Sequence, residues 1–227
     1  MRLVRRAPRR EEQGGYARRL ELDHVVIAVS DLEATAGELG THHGLASVEG
    51  GRHAGWGTAN RIVPLGETYL ELITVVDKAE AAGTAFGRWV AARIGSAPGR
   101  PLGWAARTSR LDEVAQRLGL TVSAGSRAGP DGRTLRWRLA GIEEAVAEPS
   151  LPFFVEWGDG TPLPGRTRTI HPAGAVRIER VELAGDHDRV SGWLGADRLP
   201  IAVIGGRPAV TAIVLAVDER EHIIDGL

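Results

Sequence analysis

The sequence predicts an α+β fold made of two paired βαβββ modules, with a partial third βαββ unit behind them. An eleven-residue segment occurs twice, each copy is flanked by strand-like runs in the same order, and a weaker echo follows the second copy. Ser30-Asp-Leu-Glu-Ala-Thr-Ala-Gly-Glu-Leu-Gly40 aligns with Ser109-Arg-Leu-Asp-Glu-Val-Ala-Gln-Arg-Leu-Gly119, and five of the eleven positions are identical.

Each copy reads as a short helix. Ser30 with Glu33, and Ser109 with Asp112, have capping-box spacing. Leu32, Ala36 and Leu39 recur at helical intervals, as do Leu111, Ala115 and Leu118, which gives one apolar stripe apiece. Gly40 and Gly119 are the expected stops. In the first unit, His24–Val29 reads as the leading strand, a Gly-rich stretch at 50–57 as a link, and Ala59–Leu65 and Tyr69–Val76 as later strands. In the second, Leu102–Thr108 leads, followed by Leu120–Ser123, a Pro130-Asp-Gly turn, Thr134–Leu139 and Phe153–Trp157. The units span about 21–77 and 100–158, joined by an Ala-rich helix over 79–95. The third unit reads as strand Val176–Leu183, helix Asp186–Leu194 stopped by Gly195, and strands near 200–204 and 209–217. The expected division is a basic, poorly ordered extension at 1–20, a double module at 21–160, and the partial unit at 161–227 packed on the same domain.

Composition narrows the chemistry. The 227 residues are 43% hydrophobic and 25% charged, as in an ordinary globular protein. Cysteine is absent, which excludes disulfide scaffolds, thiolate metal sites and a cysteine nucleophile, and fits a cytoplasmic location. The single lysine, Lys78, lies in Val-Asp-Lys-Ala, so no phosphate-binding P-loop exists. Gly55-Trp-Gly-Thr-Ala-Asn60 starts like a dinucleotide fingerprint but runs into a strand-like segment, so no nucleotide is expected. Residues 1–20 carry seven arginines against two glutamates, leaving −6 on residues 21–227. An acidic body with few aromatics points away from nucleic acid, and glycines and Pro208 interrupt the longest apolar run, so no membrane span is expected.

Ionisable residues inside apolar strands are the candidates for function. His24 interrupts Leu22–Val29, Glu71 lies between Leu70 and Leu72, and Glu156 lies between Val155 and Trp157. A carboxylate buried in a strand is costly unless it is paired, hydrogen-bonded or metal-bound. The plain alternative is that these strands face water on one side.

Paired βαβββ units with His in the first strand and Glu in the last resemble the vicinal oxygen chelate superfamily. Leu22–Leu32, Gly51–Asn60, Tyr69–Ile73 and Leu151–Trp157 are similar to its glyoxalase-like domain branch. The resemblance implies modules curled into a cup of mixed sheet around a small-molecule site. It also implies ligand positions at His24, Glu71 and Glu156 for a divalent metal (Mn, Fe, Mg, Ni or Zn). The fourth such position falls on Gly103, which has no ligating atom. His24 and Glu156 are the expected metal-binding or proton-transfer pair, and without metal His24 is the expected acid/base, held by Glu71 or Glu156. His53, Trp56, Asn60, Tyr69, Trp104 and Phe154 are the candidate walls for a small oxygenated ligand. The implied chemistry is that of a lyase or isomerase, with dioxygenase chemistry disfavoured; the alternative is a binding or sequestering protein without turnover. Monomer and homodimer are both open.

Overall fold

The computed structural model describes residues 20–129, 132–218 and 220–227. The arginine-rich residues 1–19 and the Pro130-Asp131 part of the expected turn lie outside the described residues. Leu20, grouped with the extension from sequence, is buried in the core.

The first unit comprises β1 (Glu21–Ala28), α1 (Leu32–His43), β2 (Val48–His53), β3 (Thr58–Leu65) and β4 (Thr68–Val75). The linker holds α2 (Lys78–Ala82) and α3 (Ala85–Ser96). The second unit comprises β5 (Pro101–Arg107), α4 (Leu111–Leu118), β6 (Val122–Ala128), β7 (Thr134–Ala140), α5 (Ile142–Ala147) and β8 (Phe153–Trp157). The eight strands close into a barrel in the order β1-β4-β3-β2-β6-β7-β8-β5, so each unit has the same internal order. The two seams differ. β1 and β5 pair antiparallel along most of their length, whereas β2 and β6 meet at one pair, His53 and Arg127.

Several local expectations shift. Asp31 caps α1 in place of Ser30, because its carboxylate accepts the N–H groups of Glu33 and Ala34 at 2.9 and 3.0 Å. The helix runs past Gly40 to Gly44, which takes the left-handed conformation at φ 64°. The linker is two helices: Thr84 accepts the Gly87 N–H at 2.9 Å and starts the second. The segment around Gly50, expected as a link, forms β2. The helix α5 has no counterpart in the sequence reading.

β9 (Val176–Ala184), α6 (His187–Leu194), β10 (Ile201–Ile204), β11 (Ala209–Val217) and β12 (Arg220–Ile224) form a separate four-stranded sheet. A fourth strand is therefore present where three were expected. The order β10-β9-β11-β12 differs from that of the barrel units. This sheet covers the outer face of the barrel. Val181, Leu183, Ile213 and Leu215 join Val25, Leu70, Leu72, Trp104 and Phe154 in one apolar cluster. A second cluster fills the barrel, where α3 inserts Phe86, Trp89 and Val90 beside Val26, Trp137 and Phe153. The central strands are buried on both faces, which explains why they read as nearly unbroken apolar runs. Among the described residues, no helix is long and apolar enough to cross a membrane.

Candidate functional site

The polar floor of the barrel is set by strand parity and two bulges. Side chains alternate across a strand, so His24 on β1 and Tyr69 and Glu71 on β4 point inward together. In β1 the pairing with β5 slips between Leu22 and His24, leaving Asp23 as the extra residue of a bulge. A bulge re-aims the side chain it carries, and Asp23 is buried beside His24. In β2 the pairing with β3 slips between Glu49 and Gly51. A Cβ at Gly50 would lie 1.9 Å from Asn60 Oδ1, so only glycine lets Asn60 sit where it does.

Seven of the buried polar residues share this one region: Asp23, His24, His53, Thr58, Asn60, Glu71 and Arg127. His24 Nδ1 lies 2.6 Å from Asp23 Oδ1, and its Nε2 lies 3.6 Å from Glu71 Oε2. The imidazole stacks on Tyr69 with centroids 4.5 Å apart and meets Phe153 edge-on. Asp23 also accepts from Trp157 Nε1 at 3.0 Å, and the Tyr69 hydroxyl bonds to it. Burial pushes the Tyr69 phenol well above its ordinary range, so it stays a donor.

Asn60 links the other half of the floor. Its Nδ2 donates to Glu71 Oε1 at 2.5 Å and lies 3.3 Å from His53 Nε2, while His53 Nδ1 lies 2.9 Å from Thr58 Oγ1. Burial lowers the His53 pKa to about 4, with Arg127 and His24 contributing against the opposing pull of Glu71. His53 is therefore neutral near pH 7. The network assigns its proton to Nδ1, facing Thr58, and leaves Nε2 to accept from Asn60. Arg127 donates to the Gly50 carbonyl and lines the same cavity, whose volume is about 40 Å³.

His24, Glu71, His53, Trp56, Asn60 and Tyr69 thus line one cavity. The other three residues expected with them do not. Glu156 lies on the outward face of β8, where Arg138 holds it through Nε at 2.8 Å and through Nη2. Phe154 shares that face and stacks on Trp193 at 6.0 Å. Trp104 points outward from β5 and donates to the Ser150 carbonyl at 3.1 Å. Their inward-facing neighbours, Phe153 and Trp157, line the cavity instead.

The divalent metal implied by the resemblance fits this residue set poorly. Glu156 is absent from the floor, and a Cβ at Gly103 would lie 2.3 Å from the Trp89 ring, so an indole occupies the fourth ligand position. The two histidines face different oxygens of Glu71, and the Asn60 amide already donates to one of them. Among the described residues, no three His, Asp or Glu side chains form a metal-ligand group.

Sequence reasoning missed Asp23 and Arg127. Asp23 adjoins His24 and cannot share its face in a regular strand, so only the bulge reveals it. Arg127 lies in Gly125-Ser-Arg-Ala-Gly129, between the expected strand Leu120–Ser123 and the expected turn at Pro130, a stretch that the sequence reading assigned to no element and that forms part of β6.

The family model for the glyoxalase-like domain matches residues 22–197. No curated protein matches the chain. A hypothetical protein from Staphylococcus aureus has a similar structure, with TM-score 0.61 and 16% identity over 84% of this chain and 88% of that one. Methylmalonyl-CoA epimerase from Mycobacterium tuberculosis aligns at TM-score 0.43 and 19% identity, over 60% of this chain and 85% of its own. A Streptomyces coelicolor methylmalonyl-CoA epimerase variant in complex with 2-nitronate-propionyl-CoA aligns at 0.45 and 20%, over 62% and 96%.

Proposed function

The chain belongs to the glyoxalase-like domain family, and from that premise we propose that its buried polar floor transfers protons on a small oxygenated organic molecule, by lyase or isomerase chemistry. One observation carries this reading: a buried imidazole is flanked by a carboxyl group at each nitrogen, Asp23 at 2.6 Å and Glu71 at 3.6 Å.

The roles follow from the geometry. With the Nδ1 proton of His24 committed to Asp23, Nε2 carries its lone pair toward the cavity. A C–H next to a carbonyl, brought there, loses its proton to Nε2, and the bonding electrons move onto the carbonyl oxygen. The imidazolium then sits between two carboxyl groups. Arg127, on the same cavity wall, supplies positive charge for the oxyanion. Return of the proton to the same carbon inverts or restores its configuration, and return to a neighbouring atom isomerises it. Asn60, itself oriented by neutral His53, holds Glu71 in place without adding charge.

A panel of 2-oxo acids and hydroxy ketones in D2O tests this directly. The protein is expected to catalyse deuterium incorporation at the carbon beside the carbonyl for at least one member. His24→Ala is expected to lower that rate by roughly 10²–10⁴, the usual scale for a general base. Equal incorporation with and without the imidazole would overturn the assignment. One observation favours binding without turnover: Trp89 fills the place opposite His24, so the floor's acids and bases, Asp23, His24, His53 and Glu71, all come from the first module. Saturable binding with no deuterium incorporation would select that reading.

A further inference from the structure

The internal repeat can be followed from strand to strand by its pairing. The offset that aligns Ser30 with Ser109 sets Gly103 against His24 and Ala105 against Val26. The seam between β1 and β5 keeps that symmetry, since His24 pairs with Ala105 and Val26 with Gly103. Val26 also pairs with Glu71 on β4, and Ala105 with Phe153 on β8, so Phe153 is the counterpart of Glu71. Two residues further on, Ile73 pairs with Asn60 and Val155 with Leu139. Leu139 is thus the counterpart of Asn60, and Trp137 that of Thr58. The last step pairs Thr58 with His53 and Trp137 with Gly125.

The floor is therefore one-sided at each of these places. His24, Glu71, Asn60 and His53 have Gly103, Phe153, Leu139 and Gly125 as their counterparts. Indoles occupy the room at the two glycines: a Cβ would lie 2.3 Å from the Trp89 ring at Gly103 and 2.3 Å from Trp137 Nε1 at Gly125. Phe153 meets the His24 imidazole edge-on at 5.5 Å, and Trp137 meets that of His53 at 6.0 Å. The second unit does contribute Arg127 to the cavity, but a guanidinium keeps its protons at any working pH. The indole N–H of Trp157 is committed to Asp23. Glu21, Glu156 and Asp159 line a neighbouring cleft and not this cavity.

We propose that proton transfer at this floor takes place on one face of the substrate only, so that configuration is retained and the protein is an isomerase rather than an epimerase or racemase. The inference rests on the proton-transfer reading above and adds a stereochemical course to it. When Nε2 of His24 takes the proton, the C–H electron pair moves into a planar enolate with its charge on the carbonyl oxygen. Inversion requires a proton delivered to the opposite face, hence an acid on the other wall. Among the described residues, that wall offers aromatic edges and a leucine. The proton, or a deuteron exchanged onto Nε2 from solvent, returns from the side it left, to the same carbon or to its neighbour.

The full chain in D2O tests this with two 2-oxo acids. (S)-3-Methyl-2-oxopentanoate has a single hydrogen on its stereogenic carbon beside the carbonyl, and 2-oxobutanoate has a methylene there. Chiral chromatography with mass spectrometry is expected to show deuterium entering the first probe with the S configuration kept, against a protein-free control. Proton NMR is expected to show that 2-oxobutanoate stops at one deuteron, on one side of the methylene once the ketone is reduced stereospecifically to the 2-hydroxy acid. His24→Ala should lower both incorporations by about a hundredfold or more. R product above the control, or a doubly deuterated methylene, overturns the one-face course and leaves the proton-transfer reading intact. Incorporation into neither probe also overturns it. The proton-transfer reading then stands if pyruvate, whose methyl group cannot report configuration, still exchanges, and falls as well if no 2-oxo acid or hydroxy ketone does.

Discussion

At the scale of single residues, Asp23 determines what His24 can do. An imidazole with Nδ1 held at 2.6 Å by a buried carboxyl group presents Nε2 in one orientation and one tautomer. Asp23→Asn preserves shape and removes the charge that steadies the imidazolium. Deuterium incorporation is expected to fall on the order of 10²-fold with little change in substrate affinity, and the acidic limb of its pH profile should move. A loss of affinity with an unmoved profile would mean that Asp23 only packs. His53 makes a separate, pH-dependent contribution. Its pKa is about 4 in the folded protein, against 6.5 as the ordinary value, so between those values the unfolded chain binds the extra proton and the folded one does not. Stability is therefore expected to fall as the pH drops through 6.5 and to stop changing on this account below about 4, by up to roughly 3 kcal/mol. Urea midpoints at pH 7, 5.5 and 4 check this, and His53→Gln should flatten the slope.

Elements decide which residues meet, and strand parity does most of that work. His24, Tyr69 and Glu71 were legible because they lie an even number of positions apart within their strands and interrupt apolar runs. Glu156 interrupts a run in the same way, yet it faces outward. A strand buried on both faces carries no alternation to show which side is the cup, and the repeat aligned the helices without fixing the parity of β8. Asp23 and the occupant of the place opposite His24 were hidden for related reasons: a bulge leaves no composition signal, and Trp89, which fills that place, comes from the linker helix α3. Two predictions belong here. Glu156→Gln should leave deuterium incorporation within about twofold and cost less than about 1 kcal/mol, as expected for a partly exposed ion pair with Arg138. Gly103→Ala should cost about 1–3 kcal/mol by overpacking, because its methyl group would lie 2.3 Å from the buried ring of Trp89. Thermal unfolding of both variants tests the pair, and a tolerated Gly103→Ala would mean that Trp89 is free to leave the barrel.

For the whole molecule, the question is whether the second sheet stands apart from the barrel or completes it. Strands β1, β4, β5 and β8 bury one face inside the barrel and the other against β9 and β11, within clusters that contain fully buried side chains on both sides. The contact is anchored by specific geometry as well as by area. Trp193 of α6 donates to the Pro152 carbonyl at 3.0 Å and stacks on Phe154, fixing the sheet against the strand whose next residues, Val155 and Trp157, turn toward the floor. Removing the sheet would expose a continuous apolar face that a solitary barrel could not hold in water. Unfolding should therefore be a single cooperative event for both layers. Ile213→Ala, a truncation in β11 far from the floor, is expected to cost about 2–5 kcal/mol. Hydrogen exchange in β9–β11 and the near-ultraviolet signal of the barrel tryptophans should then be lost at the same denaturant concentration. If the β9–β11 amides exchanged first while the tryptophan signal persisted, the barrel would be self-sufficient and the sheet an appendage. If both are lost together, the geometry around His24 depends on packing that begins on the far side of the molecule.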